Sequence, residues 1–230
     1  MLSRPSLIAM LLAASCAGAG AQQIQTPADC RVFPGTLCAD MNLNGVNLQD
    51  KDLANSQFSG SNLAGAKLDG TILRRANMQR ADMHEASLKK ADLTQADLQG
   101  VNFRRAMLSA AVFTGANMQN TKLQEANLHA ATLNGADLSE AELVSARLDQ
   151  ATARQANFRG ASLHGATLKG ADLTGANFTN ADLRGADLSD AKLEQAIFKG
   201  AQTAGCRGCP RTDQVGTPLP QPAQNLPSPR

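Results

Sequence analysis

Cysteine and histidine are the residue types in this 230-residue chain that offer the most chemistry. Four of the five cysteines lie in two pairs that are closely spaced in the sequence, Cys30 with Cys38 near the start and Cys206 with Cys209 near the end. Such pairs are typical of disulfides, metal ligands or a redox-active dithiol. We favour a structural role, because no βαβ pattern surrounds the second pair and Pro210 stands where a haem-attachment motif requires His.

The segment between the cysteine pairs is a five-residue repeat that occupies residues 41–200. A large apolar residue recurs at every fifth position from Leu43 to Phe198, in 32 pentads without insertion, with Ala153 as the single exception. The position two residues earlier is Ala in 24 pentads. A period of five would scatter these side chains around a helix or alternate them across a strand. It predicts instead a chain that turns once in every pentad, so that four pentads close a square coil and the coils stack into a solenoid.

The remaining positions of the pentad supply turn chemistry. Asn or Asp occupies the second place in 17 of the 32 pentads, and Gly occupies the fifth place in 13. A short polar side chain can hydrogen-bond the local backbone, and Gly adopts positive φ without steric penalty. We therefore expect the first and third places to face inward and the other three to face outward.

The tandem motif A(D/N)LXX, as in residues 91–95 and 181–185, resembles the pentapeptide repeat family, and the resemblance covers the whole of residues 41–200. It implies an all-β fold, a right-handed quadrilateral parallel β-helix. Residues 41–200 would fill this solenoid with about eight coils of about 20 residues each. The motif is specific for this fold but weakly specific for function.

The N-terminus has the features of an export signal. Arg4 precedes an apolar run from Leu7 to Ala14, and small residues follow as far as Ala21. Residues 1–21 are therefore predicted to be a secretory signal peptide whose apolar core is too short to span a bilayer, so no transmembrane segment is expected. The alternatives are a lipoprotein signal, in which Cys16 is acylated, and an uncleaved helix. The predicted location is the periplasm or the exterior, with the outer membrane as the alternative through Cys16.

The segments on either side of the repeat are predicted to close its ends. Residues 22–40 form an N-terminal cap with Cys30 and Cys38, residues 201–210 form a C-terminal cap with Cys206 and Cys209, and residues 211–230 form a Pro-rich disordered tail. Eight coils make a rod of roughly 38 Å. Because bonded cysteines need Cα atoms within about 7 Å, a straight rod permits disulfides only within each pair, and it excludes a zinc site made from all four.

No cofactor, metal site or catalytic group is expected on the outer surface. The three histidines fall on two sides of the rod, with His84 and His164 roughly 19 Å apart on one side and His129 on another. A column of alternating Asn and Asp suggests either cation binding or a hydrogen-bonded ladder. We favour the ladder, because amides alternate with the acids and the Gly-rich calcium nonapeptide is absent.

Charge separates the functions known for this family. Some members mimic duplex DNA to act on gyrase, which requires a strongly acidic surface, whereas residues 41–200 hold 17 Lys or Arg and 17 Asp or Glu. Binding of nucleic acid is not expected either, since the chain has no Trp or Tyr for base stacking. The favoured function is therefore an exported, non-enzymatic scaffold that binds an unidentified protein of the bacterial cell envelope. The alternatives are an inhibitor of an envelope enzyme and a carbohydrate-binding or enzymatic β-helix.

A candidate docking patch lies at outward second places that carry an apolar residue. Four pentads have this feature: Ile72, Met107, Val112 and Ile197. Met107 and Val112 fall on adjoining sides of one coil, and Ile72 shares Val112's side roughly 10 Å away. Arg104 and Arg105 would form a basic rim. The alternative is that these are scattered exposed apolar residues, which are normal on protein surfaces, or that terminal segments cover them.

Processing gives the first testable expectation. The secreted protein should begin near Gln22 and carry the disulfides Cys30 to Cys38 and Cys206 to Cys209. Mass spectrometry of the mature protein and peptide mapping without reductant measure both. An acylated Cys16 would place the protein on a membrane, and a bridge between the two ends would require a bent, swapped or dimeric rod.

Overall fold

The computed structural model describes Cys30 and residues 32–210. The predicted signal peptide, the candidate acylation site Cys16 and the predicted tail at residues 211–230 lie outside the described residues. Within residues 32–210 there is no helix, and the ladder consists of single parallel bridges. Thirty-one bridges run from Leu37 to Arg207, and each joins a residue to the one 20 positions later.

The chain forms the square coil that its period predicts. In every pentad the second place forms the bridge, and the fourth and fifth places form the turn that leads to the next pentad. Four faces result, and we number them by their pentads: face 1 contains residues 56–60, face 2 contains 61–65, face 3 contains 66–70 and face 4 contains 71–75, each with its equivalents one or more coils away. On face 1, eight successive bridges connect Leu37 to Ile197.

Backbone hydrogen bonds join each pentad to the coils above and below. In the pentad 96–100, the Leu98 N–H donates to the Asn117 carbonyl at 2.7 Å, and the Asp97 N–H donates to the Ala76 carbonyl at 2.9 Å. The corner is closed by a bond of 3.0 Å from the Val101 N–H to the Leu98 carbonyl. Most backbone polar groups are thereby satisfied without a continuous strand longer than one residue.

Every corner contains a residue with positive φ. From Gly35 to Gly205, each fifth-place residue has φ between 55° and 77°, as the third residue of a type II turn requires. Twenty of these residues are not Gly, and Arg75 and Ala110 are examples. The left-handed conformation costs a non-Gly residue about 1–2 kcal/mol, so the fold imposes the corner on residues that do not prefer it.

The interior is filled by the first and third places of the pentad. The third-place Leu, Phe and Met side chains from Leu43 to Leu188 are at most 2% exposed, and the first-place Ala residues are equally buried from Ala66 to Ala186. Phe158, Phe178 and Phe198 stack along face 1, with ring centroids 4.9 Å and 5.1 Å apart. Ala153 leaves the wall unchanged, because its N–H still bonds the Asp172 carbonyl at 2.7 Å.

The coil path extends past residues 41–200 at both ends. Leu37 bridges Gln57, while Gln202 and Arg207 bridge the preceding coil. Cys38 therefore occupies a third, inward place and is fully buried. Its Cα lies 5.2 Å from that of its disulfide partner Cys30.

The two ends are closed to different extents. At the N-terminal end Cys30, Leu43 and Leu48 are at most 2% exposed. At the other end Leu193 and Ala196 are only partly buried, because residues 201–208 continue the last coil rather than fold across it. The second disulfide joins Cys206 to Cys209, with Cα atoms 5.8 Å apart.

The inward register predicts unequal effects for two neighbouring residues. Leu98 is fully buried and Gln99 is exposed, and the Gln99 side chain lies outside the backbone ladder. Replacing Leu98 by Ala should cost about 2–5 kcal/mol of unfolding free energy, because it leaves a cavity in the core. The Gln99→Ala control should stay within about 0.5 kcal/mol of the parent. Guanidinium denaturation of both variants measures the difference, and equal losses would contradict the register.

Candidate functional site

Asn and Asp at the second place are committed to the corners of the coil. Every second-place Asn and Asp of the repeat accepts a hydrogen bond from the backbone N–H two positions later, at 2.9–3.4 Å. That N–H belongs to the fourth place, which the coil-to-coil ladder leaves unpaired. These Asn and Asp side chains therefore serve the fold.

The alternating Asn and Asp column on face 1 is a set of hydrogen-bonded groups. Asp97 accepts from the Asn117 amide at 3.1 Å and from the Gln79 amide at 2.6 Å. Asp137 accepts in the same way from Asn157 at 2.9 Å and from Gln119 at 2.5 Å. Across the part of the chain that the structure describes, no group of three His, Cys, Asp or Glu residues is placed to hold a metal ion.

Several carboxylates are held in the ionised form. Asp172 is only 7% exposed, and it accepts from the Thr174 hydroxyl at 2.7 Å and from Arg154 Nη2 at 2.7 Å. The Thr174 hydrogen bond is the largest influence, and with Arg154 it outweighs burial and lowers the pKa of Asp172. Two hydrogen bonds from Arg184 likewise lower the pKa of Asp182.

The histidines remain separate. His84 Nδ1 lies 2.9 Å from Asp82 on face 2, and His164 lies on the same face four coils away. His129 is on face 3, and its Nδ1 is buried without a hydrogen-bond partner. A histidine oriented by an acid acts as a catalytic base only when a nucleophile or a substrate-binding group lies nearby. Among the described residues, the other side chain that contacts the Asp82 carboxylate is the Asn102 amide, which donates to it at 2.8 Å and is neither of these.

The predicted apolar patch is divided by a charged residue. Ile72 and Met107 are exposed by 36% and 40%, whereas Val112 is half-buried. The bridges from Ile72 to Asp92 and from Asp92 to Val112 put the Asp92 carboxylate between the two aliphatic side chains. The structure thus brings these residues to adjoining faces without making one continuous apolar surface.

The predicted basic rim is neutralised by acids one or two coils away. Arg105 Nη1 lies 3.0 Å from Glu85, and Arg105 Nε lies 3.6 Å from Glu125. Arg104 Nη2 lies 3.7 Å from Glu142. A partner that bound there would have to displace these glutamates or accept a mixed-charge surface.

A pocket that the sequence pattern did not reveal lies at the corner between faces 4 and 1. It has a volume of about 460 Å³ and spans three coils; its lining residues are Ala54, Asn55, Arg74, Arg75, Thr94 and Gln95. They are the fourth-place and fifth-place residues of three stacked pentads. The 20-residue offset could have located this pocket from the sequence, because it places Arg74 and Arg75 between two uncharged corners, one at residues 54–55 and one at residues 94–95.

Comparison with protein families agrees with this geometry. The family described as pentapeptide repeats matches with eight copies, which fall within the ranges 37–75, 56–95, 86–124, 121–160 and 161–200. The matches cover most of the chain, and the chain belongs to the pentapeptide repeat family. Its fold is therefore a right-handed β-helix, as the sequence motif predicted. A comparison with curated proteins gave no match.

The chain resembles several solved structures, two of which are a QnrB1 variant and HetL. A trypsin-treated variant of QnrB1, a plasmid-mediated fluoroquinolone resistance protein, is 21% identical over 76% of this chain and 90% of that chain, with a TM-score of 0.62. HetL, a pentapeptide repeat protein involved in heterocyst differentiation regulation in the cyanobacterium Nostoc sp. strain PCC 7120, is 32% identical over 73% of this chain and 85% of that chain, with a TM-score of 0.40. Because so few residues are identical, the likeness to QnrB1 establishes the fold alone. Among the described residues, no helix is long and apolar enough to cross a membrane.

The Asp172 environment predicts acid sensitivity. Because the folded state lowers this pKa, ionised Asp172 stabilises the fold above the ordinary carboxyl pKa of about 4, and the contribution is lost as the pH falls through the lowered value. Asp172→Asn should be less stable than the parent at pH 7 and should lose less stability between pH 4 and pH 2. Urea denaturation across this range measures both, and parallel pH curves would contradict the assignment.

Proposed function

We propose that this chain is an exported, non-enzymatic module of the bacterial cell envelope that binds another protein. The observation that carries the proposal is the construction of the outer wall. Its backbone is held in one register by bonds to the coils on either side, and its outward side chains point to solvent at fixed five-residue and 20-residue intervals. Repeat solenoids use such extended and regular surfaces to bind partners.

The polar chemistry of the wall favours binding over catalysis. The second-place acids and amides accept backbone hydrogen bonds, as Asp97 and Asn117 do. Two fifth-place acids, Glu85 and Glu125, form ion pairs between coils with Arg105. What remains for a partner is a mixed surface with isolated apolar side chains, of which Met107 on face 3 is 40% exposed. A polar surface with a few large apolar contacts is typical of non-obligate protein interfaces.

Mimicry of DNA is the function that the fold of QnrB1 brings into consideration, since some pentapeptide repeat proteins act on gyrase in that way. A duplex carries one negative charge per about 1.7 Å of its axis. The repeat has equal numbers of acidic and basic residues, 17 of each in residues 41–200, and ion pairs such as Arg154 with Asp172 neutralise both signs locally. The charge pattern therefore favours a protein partner.

Two further alternatives are less well supported. Carbohydrate binding uses exposed aromatic rings, and among the described residues Phe33 is the one aromatic side chain that is largely exposed. An inhibitor of an envelope enzyme is a special case of protein binding, and the identity of the captured partner would reveal it. The export part of the proposal depends on the signal-like residues 1–21 and on the cysteine pairs.

Photo-crosslinking from the four faces of one coil tests the proposal. A photoreactive amino acid replaces one fourth-place residue per face: Ser109, Thr114, Gln119 or Gln124. The protein is expressed with its own N-terminus in a Gram-negative host, irradiated in intact cells, and recovered from the periplasmic and membrane fractions. Because Met107 and Val112 lie on the faces of positions 109 and 114, adducts with one protein should be strongest from those two positions.

The other two positions are the matched control, since they lie in the same coil with similar burial. Equal adducts from all four faces would indicate random collision. Recovery of the protein from the cytoplasm with its N-terminus intact would contradict the export part of the proposal, and the absence of a protein adduct from every face would contradict the binding part.

A further inference from the structure

The three basic pairs on the wall differ in how far their charge is neutralised. Arg104 and Arg105 face three glutamates that lie one or two coils away. Arg74 is held through Nε by Asp92 Oδ2 at 2.6 Å. Arg75 Nε donates to the neutral amide oxygen of Gln95 at 2.9 Å, as Arg104 Nε does to Gln124 at 3.1 Å. Arg75 differs because it forms no ion pair with a carboxylate of the described residues. The remaining pair, Lys89 with Lys90, does not line the pocket.

Arg74 and Arg75 both line the pocket of about 460 Å³ at the corner of faces 4 and 1. The pocket exists because the fourth places on the coils before and after Arg74 carry small side chains, Ala54 and Thr94, which leave space beside the arginine. Its volume is that of a small-molecule site, for which about 300–1,000 Å³ is usual.

Both guanidiniums are oriented before any ligand arrives. Each is anchored by its Nε, to Asp92 or to Gln95, so that the terminal nitrogens remain available to donate to a ligand oxygen. A planar guanidinium forms paired hydrogen bonds with carboxylate and phosphate oxygens. Anchoring reduces the side-chain entropy that binding would otherwise cost. Asn55 lines the same pocket.

We propose that this pocket binds a small organic anion, with Arg75 as the principal contact to its phosphate or carboxylate group and Arg74 as the second. The volume favours an anion that carries an organic body over the bare ion. The local charge favours one small ligand over a nucleic acid, because a nucleic-acid strand needs a continuous basic track and Asp92 interrupts face 4. The site is independent of the proposed protein partner.

Titration of the full mature protein with four probes tests the proposal. The probes are glucose 6-phosphate, glucuronate, inorganic phosphate and uncharged glucose, followed by backbone amide NMR shifts and calorimetry at low salt. One of the two anionic sugars should bind saturably and shift the amides of residues 54–55, 74–75 and 94–95. Comparison of these two sugars distinguishes a phosphate from a carboxylate ligand, and glucose should not bind.

Arg75→Gln should weaken that binding by about tenfold or more, since it removes a charge-assisted contact. Arg75→Lys should retain part of it. Arg154→Gln is the matched control and should change nothing: Arg154 also lies at the fourth place of face 4 and also binds an Asp 18 positions later, but its neighbour is Gln155. Thermal melts should show that the Arg75 variants remain folded, because this side chain is exposed.

The proposal is overturned if neither anionic sugar binds saturably, or if Arg75→Gln binds as tightly as the parent. Equal losses in Arg75→Gln and Arg154→Gln would also overturn it, because they would show a general charge effect rather than a site. Since these experiments use the isolated protein, their result does not depend on the photo-crosslinking outcome.

Discussion

The hydrogen-bond ladder between successive coils is the constraint on which the rest of the structure depends. In each full pentad of the interior coils, the second, third and fifth places use their N–H groups to reach a neighbouring coil. A net gain of about 1 kcal/mol for each bond offsets the cost of about 1–2 kcal/mol that a non-Gly residue incurs for positive φ at the corner. This balance explains why the coil accepts Arg75 or Glu85 at a position that favours Gly.

The same ladder decides what the surface can do. It leaves the fourth-place N–H without a backbone partner, and the second-place Asn or Asp satisfies that group. It also brings charged side chains 18 or 20 positions apart within reach of each other, as with Arg74 and Asp92 or Arg105 and Glu85. Many outward side chains are thus already paired within the fold, and only the unpaired ones are free to contact a ligand or partner.

A protein of this kind gains specificity from exceptions to its repeat. Most corners carry side chains that are paired or short, whereas the corner at Arg74 and Arg75 combines an unneutralised guanidinium with a recess above Ala54. The exposed Met107 is an exception of a different kind on face 3. A protein partner and a small anion would therefore use separate parts of one rigid wall.

The amino-acid sequence alone determined the square coil, its four faces and the assignment of inward and outward places, because a strict period of five leaves a single way to bury Leu98 and its equivalents. The place of Asp92 between Ile72 and Val112 follows from the same 20-residue offset. The same offset puts Glu85 and Glu125 beside Arg105, and Asn55 and Gln95 beside Arg75. The tertiary structure alone decided that Arg104 reaches Glu142 two coils away, and that the last coil stays partly open. These outcomes depend on which rotamers long side chains adopt and on how the chain leaves the final coil, and a repeat period carries information about neither.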